Sequence, residues 1–119
     1  MGLGEVRVSY LDNLEDELNA HLQGYKKVFV KNEDSPSAVT QFAYGSLSVN
    51  QQSGWHIHKT MEEYFFFLKG HALFEIGEKE YRIVPNTFVK IPSGVSHNLS
   101  NPNEEVVTFV YFGVAFDDV

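Results

Sequence analysis

From Tyr25 onward the chain is written in short runs of β-branched and aromatic residues, "KKVFVK", "AVTQFAYGSLSV", "EEYFFFLK", "HALFEIG", "KEYRIV", "TFVKI" and "EVVTFVYFGV". Between them stand Asn32 to Ser37, Asn50 to Gly54, Gly70, Gly77-Glu78, Pro85-Asn86, Pro92 to Gly94 and Asn101 to Asn103, all rich in residues that turns favour. This punctuation predicts many short strands with tight connections, and no crossover helix that would build a parallel α/β sheet. Such strands close most simply into a sandwich or a jelly roll, whose wider end can enclose a ligand. Before Gly24 the pattern changes. Leu11, Leu14, Leu18 and Leu22 recur at helical spacing, Asp12 or Asn13 can cap, Glu15 completes a box with Asp12, and Gly24 supplies a stop. The expectation is an all-β barrel preceded by an N-terminal strand, "EVRVSY", and one short helix within residues 5–24.

Bulk properties narrow the function classes. At 119 residues the chain has the length of one domain, 1–119, and can bury roughly two-thirds of its unfolded surface without staples. A net charge of -7 and a pI near 5.1 oppose the basic surface that nucleic acid requires, so none is expected as a partner. There is no cysteine, which removes disulfides, thiolate nucleophiles and Cys-ligated zinc. No secretory pattern opens the chain, and the longest apolar run, Val106 to Phe116, is far below the ~20 residues of a spanning helix. The expectation is a cytoplasmic protein without membrane association.

Chemistry concentrates in four residues. His56 and His58 stand one residue apart, Glu63 follows, and His97 lies downstream in "IPSGVSHNLSN". On an extended strand alternate side chains share a face, so the His-Ile-His spacing places both imidazoles on one side, roughly 6.6 to 6.8 Å apart along the chain. Three neutral imidazoles and one carboxylate suit one borderline divalent ion, Fe, Mn, Ni, Zn or Cu. If Glu63 points inward, alternation turns Phe65 and Phe67 inward too and makes the surroundings apolar. Trp55, Gln41, Tyr44 and Tyr111 are candidates for polar or stacking contacts at the pocket mouth. His21 and His71 fall outside the pattern, and Glu62 is the neighbour to be distinguished from Glu63.

Between Asn50 and Asn101 the chain resembles the cupin family, which is defined by two linked motifs. In the first, at 50–70, His56, His58, Glu63 and Gly70 fall in register, and only Glu63 leaves the six residues required before Gly70. In the second, at 86–101, Pro92, Gly94, His97 and Asn101 fit. Each motif begins with Asn, at 50 and 86, where the family pattern has Gly; Asn is the residue that best tolerates a left-handed backbone in its place. The resemblance implies a double-stranded β-helix barrel, one metal ion on His56, His58, Glu63 and His97, and a structural role for Asn101. It also implies a homodimer.

The resemblance does not choose a reaction, because such barrels carry many. The leading expectation is a metal-dependent enzyme acting on a small polar molecule, a sugar or keto acid, by isomerisation, epimerisation or a related enolisation. The alternatives are an iron-dependent dioxygenase and a non-catalytic barrel that binds a small ligand. No catalytic base is identifiable apart from the four candidate ligands.

Overall fold

The alternation seen in the sequence carries directly into the sheets of the protein, whose computed structural model describes residues 5–18 and 24–116. Among the described residues nine strands follow in chain order: β1 (Glu17–Leu18), β2 (Tyr25–Lys31), β3 (Val39–Leu47), β4 (Met61–Lys69), β5 (Ala72–Ile76), β6 (Lys79–Ile83), β7 (Phe88–Ile91), β8 (His97–Ser100) and β9 (Val107–Ala115). All pairings are antiparallel. One sheet has the order β1-β2-β3-β9-β4-β7 and the other β6-β5-β8.

The two sheets meet through residues two apart on each strand, as a period of two demands. Glu63, Phe65 and Phe67 of β4 are buried on one face, as are Phe109 and Tyr111 of β9 and Ala72 and Phe74 of β5. Their rings interlock. Phe65 meets Phe74 edge to face at 5.2 Å, stacks on Tyr111 at 5.4 Å, and Phe67 packs on Phe109 at 5.3 Å. Burying a side chain such as Phe67 stabilises the fold by about 1.5–3 kcal/mol, so this aromatic layer is the main force joining the sheets.

Turn chemistry sets where the strands begin. Asn50 and Asn86 both adopt positive φ, 62° and 70°, which accounts for Asn at two positions where a bulkier side chain would be strained. Asn86 N–H donates to Phe67 O at 2.7 Å and Phe67 N–H donates to Thr87 O at 2.9 Å, fastening the start of β7 to β4. Gly70 is required for a second reason. A Cβ there would lie 2.6 Å from the Val106 carbonyl oxygen.

The N-terminal segment departs from expectation. Leu11–Asn13 forms only a single 3-10 turn, Leu14 is extended, and Glu17–Leu18 pairs with Lys26 and Tyr25 instead of continuing a helix. A helix this short is marginal without a packed face, and Leu18 is 72% exposed, so the edge pairing of β1 wins over local propensity. His21 and Leu22 lie outside the described residues. The "EVRVSY" segment forms no strand; Arg7 ties it down through Asp34 at 3.1 Å and the Phe29 carbonyl at 3.0 Å. Among the described residues no helix is long and apolar enough to cross a membrane.

Candidate metal centre

Three chain segments converge at one end of the space between the sheets. Glu63 arrives on β4, His97 opens β8, and His56 and His58 lie on the loop that leads into β4. That loop is held in register by backbone pairing. His56 and His97 exchange two hydrogen bonds, at 3.1 and 3.0 Å, while Ser53 N–H donates to Leu99 O at 2.8 Å and Gly94 N–H donates to His58 O at 2.7 Å. The Pro92–Gly94 turn thereby supports His58 as well as delivering His97. Asn101, 1% exposed, anchors the far end by donating to Leu47 O at 3.0 Å and Glu105 O at 2.7 Å and accepting from Asn103 N–H at 3.0 Å.

The four candidate donors lie within 4.8 Å of one another. Atoms each about 2.1 Å from one ion sit at most about 4.2 Å apart, so shifts of a few tenths of an ångström close the set on a common centre. The rings are already oriented. His56 Nδ1 bonds Gly54 O and His97 Nδ1 bonds Val95 O, each at 2.9 Å, an arrangement that turns Nε2 away from the backbone. His97 Nε2 lies 3.2 Å and His58 Nε2 3.3 Å from Glu63 Oε1. This donor set, buried at Glu63 and His97 and half-buried at the other two, fits one divalent cation.

Electrostatics follow from that packing. Burial pushes the Glu63 carboxyl up, but the hydrogen bonds and charges of His58 and His97 outweigh it and hold the group down at about 2. The bond to Glu63 raises His58 above the ordinary imidazole range against partial burial, which lowers it. Tyr111 is pushed well above the usual phenol range, first by burial and then by the Glu63 charge, so it stays a neutral hydroxyl.

A cavity of about 110 Å3 opens beside the four donors. Met61, Phe65, Phe74, Leu99 and Phe109 form its apolar wall, and Lys26, Gln41 and Tyr111 bring polar groups from β2, β3 and β9. Gly45 makes room for this corner, since a Cβ there would meet the Phe109 ring at 2.6 Å and the Tyr111 ring at 3.2 Å. Lys26 Nζ donates to Gln41 Oε1 at 3.1 Å. An ammonium can only donate, so the amide oxygen faces it, and the Gln41 side chain also hydrogen-bonds Tyr111, the one contact that pulls the phenol down rather than up.

The structure brings together His56, His58, Glu63 and His97 and sets Phe65, Gln41 and Tyr111 on the cavity wall. Phe67 is not on that wall; two residues further along β4, it is fully buried in the aromatic core below. Trp55 and Tyr44 do not line the cavity either. Glu62 points to the opposite face, where it accepts from Tyr64 Oη and lies 3.7 Å from Lys90 Nζ. His71 is exposed. Lys26 was missed by the sequence reading, although its alternation with Val28, which packs on the core, marks it as inward-facing.

A family model described as "Cupin domain" matches residues 44–113, more than half of the chain. The chain belongs to the cupin family. No curated protein matches this cupin in sequence. Among solved structures it is similar to a predicted oxalate decarboxylase from Thermotoga maritima, with TM-score 0.84 and 19% identity over 92% of this chain and 100% of that one. It is also similar to the polyketide cyclase RemF from Streptomyces resistomycificus, with TM-score 0.80 and 13% identity over 92% and 80% of the two chains. A candidate sugar phosphate isomerase from Acidithiobacillus ferrooxidans gives TM-score 0.71 and 20% identity over 88% and 69%. These likenesses establish the cupin fold; the three names point to three different reactions.

Proposed function

We propose that this cupin is a metal-dependent enzyme acting on a small polar molecule, a sugar or keto acid, by an enolisation of the isomerase or epimerase type. The observation that carries the reading is the convergence of His56, His58, Glu63 and His97 beside a cavity that also receives the Tyr111 hydroxyl. A divalent ion held by those four residues would supply Lewis-acid polarisation of a substrate carbonyl or hydroxyl oxygen. Glu63 stays ionised at neutral pH and so serves as a ligand, and Tyr111 stays protonated and so offers a hydrogen bond to oxygen as negative charge develops there. The rings of Phe65, Phe74 and Phe109 give the site an apolar wall, which lowers the local dielectric and strengthens each of these polar contacts.

The size of the cavity favours the smaller members of the substrate class. The test is turnover of a sugar and keto-acid panel by wild-type protein and by His58→Ala, each assayed after loading with Fe, Mn, Ni, Zn or Cu. Metal-dependent conversion by wild type alone supports the proposal. Equal activity in both proteins rejects it, and iron-dependent oxygen uptake without isomerisation would replace it with the dioxygenase reading.

A further inference from the structure

The cavity has a second pole. Lys26 is the single cationic side chain of Lys or Arg type among the described residues that line it, and it lies on β2, outside both histidine motifs. It is half-buried, on the same face as Val28, and the bond to Gln41 Oε1 uses one of its three N–H donors. Across the pairing with β1 stands Glu17, whose charge also acts on Tyr111, so the negative groups nearest this corner are Glu17 and Glu63. With a divalent ion on the histidines, the positive charge of the ion and Lys26 still exceeds that of the two carboxylates, by an amount that suits one further negative charge.

From this we infer that Lys26 is the specificity-determining residue of the cavity and selects a small monocarboxylate with an oxygen at the adjacent carbon, a 2-oxo or 2-hydroxy acid. The inference rests on the metal reading above and adds the substrate class. The acid's carboxylate meets the ammonium of Lys26, the Tyr111 hydroxyl donates to the ligand, and the remaining oxygen faces the four candidate ligands. Gln41 positions the other two groups: its amide holds Lys26 on one side and Tyr111 on the other. A dianion is disfavoured by Glu17, and a neutral molecule leaves the ammonium without a charged partner.

The test is calorimetric titration of manganese-loaded protein with glycolate and with glycolamide, its neutral counterpart. Lys26→Met is expected to weaken glycolate by about tenfold or more, the scale of one charge-assisted hydrogen bond, and to leave glycolamide within about twofold. Lys26→Arg should retain most of the glycolate affinity. Metal content measured on the same samples separates the two ways of failing. Wild-type protein that takes up no manganese overturns the metal reading. Fully loaded protein that does not bind glycolate, or binds it equally well after Lys26→Met, overturns the assignment of Lys26 alone.

Discussion

His56 and His97 are joined backbone to backbone by a reciprocal pair of hydrogen bonds, and each ring is pinned through Nδ1 to the carbonyl two residues before it. The same local device, used twice across one antiparallel bridge, fixes two imidazoles whose centroids are 4.2 Å apart. Their orientation is therefore a property of the backbone pairing.

That rigidity leads to the first prediction. Removing outer-sphere support from a metal site commonly costs 10- to 100-fold in affinity, so deleting a ligand should cost about a hundredfold or more. His97→Ala and Glu63→Gln should each abolish stoichiometric metal content after dialysis, while circular dichroism stays that of a β protein. Full metal content in either variant would contradict the assignment.

The pH dependence is set by His58. In protein stripped by chelator, the Glu63 carboxylate raises His58 above 6.5, whereas Glu63 itself sits near 2 and is ionised throughout the working range. An incoming ion must displace the His58 proton, so affinity falls as pH drops through the raised value, by roughly tenfold per unit for one proton. Equilibrium dialysis against zinc at pH 8 and pH 5 should show the loss. Equal content at both pH values would refute it.

Asn101 gives a prediction about stability alone. Its side chain satisfies two carbonyls and one backbone N–H in a fully buried position, so Asn101→Ala strands those partners and should cost about 3 kcal/mol. Urea unfolding measures it. A change below 1 kcal/mol would mean that water replaces the amide.

Asn86 tests the left-handed turn. With φ at 70°, Asn86→Ala should cost about 1 kcal/mol, while Asn86→Gly should stay within about 0.5 kcal/mol of wild type. Both are read by thermal unfolding, and indifference to Ala would remove the conformational argument.

Homodimer formation is a further proposal. Val6, Val8 and Tyr10 are 92%, 73% and 70% exposed on a segment that forms no strand, and burying them against a second copy would remove that apolar surface from water. Light scattering at micromolar concentration should give twice the chain mass. A monomer mass would end the proposal.

The parts of this molecule that depend on local chemistry were legible in the sequence. Turn residues such as Asn50, Asn86 and Gly70 announce themselves, and the two-residue alternation through Glu63, Phe65 and Phe67 names the inner face of β4. The four candidate ligands were readable because their spacing is fixed by the turns between them. What local patterns do not contain is depth and partnership. Alternation turns Phe67 inward without saying that it sits beneath the cavity. Leucines at 11, 14 and 18 fit a helix, yet the pairing of Glu17–Leu18 with Tyr25–Lys26 decides the outcome. Lys26 reaches the site from β2, separated from β4 in the sheet order by β3 and β9, a neighbourhood that only the fold creates.

The Lys26 to Gln41 contact has one allowed sense, because an ammonium possesses no lone pair. An acidic side chain at position 26 would demand the opposite sense and turn the Gln41 amide through half a rotation. One residue remote from the histidines in sequence thus sets whether the chamber they share welcomes electron-rich or electron-poor atoms, and a swap of sign there is the shortest route by which a barrel of this kind would change its clientele.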